Sequence, residues 1–166
     1  TLLGRKRMWV LALLIVPAAR FGPRYFALAA GASQEWADTA MDRDSRQAAR
    51  LVAALARPGD TLVAWGFRPE LYTYTGLPAA SRFLESQPLT GVAADRHLVE
   101  SRPSLPAGWI ASNRRELVRS RPTFIVDGLG PYNRELAITA YPDLGDWLAG
   151  YREAARSPGS IVYRRR

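Results

Sequence analysis

The 166-residue sequence contains no cysteine and a single histidine, His97. Without thiols it can form no disulfide framework, no cysteine nucleophile and none of the usual structural zinc sites. A Ser/His/Asp triad would have to run through His97, yet there is no G-x-S-x-G elbow, and the A-D-R-H-L around it has no apolar strand leading in. His97 therefore reads as a loop residue. Lysine is nearly missing as well: Lys6 is the only one among 23 basic residues. That bias points to coding composition rather than to selection for phosphate contacts, which both residue types serve. A G-x-x-x-x-G-K-S/T phosphate loop, an H-E-x-x-H pair and an aspartate-rich metal loop are all lacking, so neither a metal nor a cofactor is expected.

What is present is an apolar content of 48%, enough to bury a core. The formal charge is +8, but Arg5, Lys6 and Arg7 at one end and Arg164, Arg165 and Arg166 at the other account for six of it, leaving +2 for everything between. With no basic stripe interleaved with aromatics, no nucleic-acid partner is expected.

The run M-W-V-L-A-L-L-I-V, residues 8–16, continues uncharged to Ala19 and is followed by Arg20, Pro23, Arg24, Tyr25 and Phe26. Three readings are open: a signal-peptide core, a buried helix of a soluble domain, and the last transmembrane helix of a larger protein. The uncharged core is shorter than the roughly 20 residues of a full span. Arg20 and two prolines intervene before any small-residue cleavage site, which weighs against a secretory signal. An imperfect span from Met8 to Phe26, with Arg20 and Arg24 snorkelling and aromatics at the interfaces, fits the pieces best. The R-K-R flank then places the rest of the chain outside the cytoplasm. The first residue is Thr1 and not Met, which is compatible with a fragment of a larger protein.

After a polar join at residues 31–43, Ala48, Leu51, Val52 and Leu55 fall at i, i+3, i+4 and i+7, predicting an amphipathic helix over 44–57. Asp44 stands at its cap, Gln47 completes a capping-box-like arrangement, and Pro58-Gly59 stops it. T-L-V-A-W, residues 61–65, reads as a buried strand ending at Gly66. The same order returns twice: a helix over 113–120 leads into T-F-I-V-D, residues 123–127, and a helix over 147–156 leads through Ser157-Pro158-Gly159 into S-I-V-Y, residues 160–163. Ser81–Leu84 is a further strand candidate, and 85–108 reads as a long loop. The expected architecture is a small, Rossmann-like, three-layer α/β domain with a mainly parallel sheet, residues 31–166, preceded by an apolar transmembrane helix within residues 1–30.

In such a layer, ligands gather at the carboxyl ends of parallel strands. Two ends carry chemistry: W-G-F-R-P-E-L-Y after the first strand, and V-D-G-L-G-P-Y-N, with Asp127, Tyr132 and Asn133, after the second. The G-x-G at Gly128 and Gly130 lacks the third glycine of a dinucleotide fingerprint. For Arg68 and Glu70 the alternative to a ligand role is an ion pair or a capping charge; for Tyr72 and Tyr74 it is packing.

From Gly66 to Phe83 the sequence also carries a family pattern: G-x-x-P-E-x-Y at Gly66, Pro69, Glu70 and Tyr72, then Gly76, then S-R-F at Ser81, Arg82 and Phe83. R-P-x-x-I-V at Arg121, Pro122, Ile125 and Val126 follows in order, and R-Y-F-A-L lies upstream after the apolar run. This resembles the C-terminal extracytoplasmic region of bacterial polytopic glycosyltransferases of the GT-C class, related to protein O-mannosyltransferases and aminoarabinose transferases. The chain departs from that pattern in having Phe67-Arg68 where the family has a small pair before Pro-Glu. The resemblance implies an enzyme of the cell inner membrane that moves a sugar from a polyprenyl-phosphate donor to an envelope acceptor on the periplasmic face. It also implies that the catalytic acid lies in an earlier loop, so no residue here is nominated as catalytic. Arg68, Glu70, Tyr72 and Arg82 are then candidates for contact with the acceptor or with the rest of the protein, the other partner being the lipid bilayer. The alternative is a membrane-tethered, non-catalytic α/β binding module of the cell envelope; a stand-alone soluble enzyme is disfavoured because no nucleophile, metal or phosphate motif is present.

Overall fold

The computed structural model describes residues 2–31 and 36–166. It divides into two compact units, Thr1–Ala37 and Asp38–Arg166.

The first unit is built on helix α1, Leu2–Ala29, which carries Pro17 and Pro23 within it. Trp9, Leu13, Ile15, Val16, Phe21 and Phe26 are exposed along it. The expected transmembrane helix is corrected here: among the described residues no helix is long and apolar enough to cross a membrane. The physical reason is length. The uncharged stretch ends at Arg20, and twelve helical residues rise only about 18 Å against a hydrocarbon core of about 30 Å. Part of the polar join, residues 32–35, lies outside the described residues.

Helix α2 spans Ala37–Ala53, all but its first residue in the second unit, so the helix begins well before Asp44. Asp44 is not its cap; it sits within the helix and is 6% exposed. Strand β1, Leu62–Trp65, leads into the short helix α3, Glu70–Thr75. The stretch read as a long loop holds one further helical turn, α4, Gln87–Thr90, before α5, Ala107–Arg119. Strand β2, Phe124–Asp127, is followed by three 3-10 turns and the single turn α6, Gly145–Leu148. Ser81–Leu84 forms no strand; the only pairing nearby is an isolated bridge between Leu62 and Ala79.

The chain closes with β3, Tyr151–Ser157, and β4, Ser160–Arg165. This overturns the helix expected over 147–156. E-A-A-R suits a helix, but propensity is a weak prior beside tertiary pairing. Ser157 pairs with Ser160 across Pro158-Gly159, a two-residue hairpin turn that sends β3 back along β4. A bulge between Glu153 and Ala155 interrupts the ladder.

The sheet order is β1-β2-β4-β3. Only β1 and β2 are parallel; β4 runs antiparallel to both β2 and β3. The Rossmann-like, mainly parallel sheet is therefore corrected to a four-stranded mixed sheet. The reason is the hairpin: a strand that returns through two residues can only be antiparallel, whereas a parallel partner needs a long crossover.

The alternating pleat gives the sheet two buried faces. Val63, Trp65 and Ile125 pack with Leu117 of α5 and with Leu136, Ile138 and Leu144 of the turns after β2. Leu62, Ala64, Phe124, Val126 and Val162 pack with Ala48 and Val52 of α2 and Leu71 of α3. The carboxyl ends of β1 and β2 thus lie side by side, covered from both faces.

Candidate functional site

The chain leaves β1 at Gly66, whose φ of +123° favours glycine. Phe67 turns outward and Arg68 inward, where it is 1% exposed. Its Nη1 donates to Asp44 Oδ2 at 2.6 Å and to Ser160 Oγ at 3.0 Å, and reaches Ser45 Oγ at 3.3 Å. Asp44 also accepts from the Ser160 hydroxyl at 2.6 Å and from the Gly159 N–H at 2.7 Å. Three separate segments, α2, the β1–α3 turn and the β3–β4 hairpin, are joined by this one ion pair. Burial, the largest single influence on Asp44, pushes its carboxyl up; hydrogen bonds from Ser160, Ser157, Arg68 and Gly159 together outweigh it and hold the group below the ordinary carboxylate value.

Room for Arg68 is made at the end of β2. A Cβ on Gly128 would stand 2.8 Å from Arg68 Cδ and 2.9 Å from Nε, so a larger residue would displace the guanidinium. Asp127 beside it is wholly buried. Its Oδ1 accepts from the N–H groups of Leu129 (3.0 Å) and Gly130 (2.7 Å), and its Oδ2 from Ile138 N–H (3.0 Å). Burial pushes the Asp127 carboxyl up, while those three N–H groups pull it back. A Cβ on Gly130 would meet Asp127 Oδ2 at 2.6 Å and Ala137 Cβ at 2.9 Å. Both glycines of the G-x-G therefore give space to neighbours within the fold.

The four candidate contact residues do not form one cluster. Glu70 accepts from the Ser45 hydroxyl at 2.7 Å, on the margin of the Arg68 network. The Tyr72 hydroxyl accepts from the Ala64 N–H at 3.1 Å, capping a ladder position on edge strand β1. Arg82 lies apart, exposed, paired with Glu116 of α5 at 2.7 Å. His97 lies in a turn but is only 3% exposed, and its Nδ1 has no partner among the described residues. Burial, then the Arg68 charge, pushes its imidazole down, against a smaller upward pull from Asp95.

Sequence reasoning missed Asp44, read as a cap, and Ser160, read as the start of a strand. They lie 24 and 92 residues from Arg68, and no local pattern announces a pairing at that distance. Among the described residues no group of three or more His, Cys, Asp or Glu stands close enough to hold a metal. Chemically, the ends of β1 and β2 commit the Arg68 Nη1 and both Asp127 carboxylate oxygens to partners within the fold, while Arg68 Nε is buried without a partner among the described residues. No protein-family profile, curated protein or solved structure matches the chain.

Proposed function

We infer that the chain is an accessory, non-catalytic domain of a glycosyltransferase of the cell inner membrane, one that moves a sugar from a polyprenyl-phosphate donor to an envelope acceptor. Residues 38–166 would stand on the periplasmic side. One observation carries this reading: where an α/β sheet ordinarily holds its ligand, Arg68 is neutralised by Asp44 and Asp127 is occupied by three backbone N–H groups. A strand edge committed in this way offers no free base or nucleophile, which accords with chemistry performed elsewhere in a larger protein. The G-F-R-P-E-L-Y turn and the later R-P-x-x-I-V supply the family resemblance. Exposed apolar side chains along α1 support association with the membrane part of that protein or with lipid. Within the turn, Arg68 and Tyr72 hold the backbone in shape; Arg82, exposed and paired with Glu116, and Glu70, which accepts from Ser45, would exchange those partners for an acceptor.

The test is transfer of labelled sugar from a polyprenyl-phosphate donor. The 166-residue chain alone should transfer none, and deleting residues 38–166 from the full gene product should slow transfer at least about tenfold, roughly 1.4 kcal/mol of barrier. Turnover by the chain alone, or undiminished transfer after the deletion, would overturn the reading. Sidedness is open to a separate check, because the chain has no cysteine. A cysteine placed at exposed Ser112 should react with an impermeant reagent in intact cells.

A second reading, a binding module without a transferase partner, is favoured by a cleft whose charged groups remain free.

A further inference from the structure

Two depressions meet on the surface formed by the segment after α4, by α5 and by the turns after β2, with Ser101 and Glu135 in the walls of both. The inner one, about 300 Å³, is lined by Pro103, Ile110, Leu136 and Tyr141. The outer one, about 530 Å³, carries Arg102 and Arg134. Volumes of this size suit a small molecule.

The walls are tied together by Asn133. Its Nδ2 donates to the carbonyls of His97 (2.9 Å) and Glu100 (3.2 Å) and reaches Ser101 Oγ (3.1 Å), while its Oδ1 accepts from the Glu135 N–H (3.2 Å). The loop bearing Arg102 and the turn bearing Arg134 and Glu135 are thereby fixed against each other before any ligand arrives. Such preorganisation lowers the entropy lost on binding.

The charges on this surface differ from those nearby. Arg114, in the inner wall, is spent: it pairs with Asp143 at 2.7 Å, donates to the Leu89 carbonyl at 2.8 Å and lies 4.8 Å from the centre of the Tyr141 ring. Arg102, Arg134 and Glu135 have neither an ion pair nor a side-chain hydrogen bond among the described residues. A single free arginine on a surface means little. Two guanidinium groups and a free carboxylate lining one cleft restrict what can enter it. A simple anion would face Glu135, and a simple cation would face Arg102 and Arg134; a molecule carrying both charges answers all three. Tyr141 adds a donor, since burial pushes its hydroxyl to about 12 and it keeps its proton.

We propose that this cleft binds a free α-amino acid with an apolar side chain, its carboxylate between Arg102 and Arg134, its ammonium at Glu135 and its side chain against Ile110 and Leu136. The site adjoins the Arg68 network through Tyr132, which lines the outer depression and whose ring lies 5.6 Å from the Arg68 guanidinium, and it does not depend on the glycosyltransferase reading.

The experiment is a titration of the 166-residue chain followed by amide NMR, with L-leucine and L-phenylalanine raised to about 10 mM, well into the range of weak small-molecule sites. Saturable shifts should localise to residues 101, 102, 110 and 134–136. L-Leucinamide and N-acetyl-L-leucine, each lacking one charge, should bind at least about tenfold more weakly. Arg134→Ala and Glu135→Gln are at exposed positions and should keep the native spectrum while losing affinity by a similar factor. The proposal is overturned if neither amino acid produces saturable shifts, if leucinamide binds as well as leucine, or if Glu135→Gln leaves affinity unchanged in a chain with a native spectrum.

Discussion

Arg68 and Arg134 are the same residue type on the same domain, and their surroundings are opposite. Arg68 is buried against Asp44, Ser160 and Gly128, whereas Arg134 stands in an open cleft with a free glutamate next to it in sequence. Bringing a guanidinium out of water is costly unless a carboxylate and further hydrogen-bond partners meet it. A chain that supplies all of them is using the arginine to join segments. One that supplies none leaves the charge for something outside the chain.

The first way to break this comparison is to remove one side of the buried pair. Asp44→Ala should cost about 3–5 kcal/mol in urea unfolding, because it strands the Arg68 charge in the interior, and Arg68→Ala should be similarly severe. Arg134→Ala, by contrast, should leave the urea midpoint where it was. Equal losses at Arg68 and Arg134 would erase the distinction between a structural and an available arginine.

Asp127→Asn tests the neighbouring strand end. It removes a buried charge but turns one oxygen into a donor facing an N–H, so it should cost about 1–3 kcal/mol by leaving a buried group unpaired. Stabilisation instead would mean that burial of the carboxylate outweighs its three hydrogen bonds.

The smallest expected effect lies in the acid limb of the stability curve. Asp44 is held below its ordinary value in the folded state, so its contribution is complete above the unfolded pKa of about 4 and is lost as the pH falls through the folded value. Asp127, pushed up, works in the opposite sense: the folded state takes its proton at higher pH than the unfolded chain, and its contribution fades as the pH rises. Asp44→Asn should therefore flatten the loss of stability below about pH 4. A limb of unchanged slope in that variant would assign the loss to other carboxylates.

The sequence by itself determined the strands whose apolar runs are continuous: 61–65, 123–127 and 160–163 lie within or around β1, β2 and β4. It determined the core of α2, where 3.6-residue periodicity puts Ala48 and Val52 against the sheet, and the turn at Gly66. These are local signals, carried by residues only a few positions apart. Tertiary structure alone decided the rest. It made 151–157 a strand, because the ladder offered by β4 outweighs the helical leaning of E-A-A-R. It made the sheet mixed, because a two-residue hairpin permits only an antiparallel return. It also chose which charges are spent: Asp44 meets Arg68 and Ser160, and Asn133 brings Ser101 beside Glu135. Those meetings join residues far apart in the chain, and they exist only once the two faces of the sheet are covered.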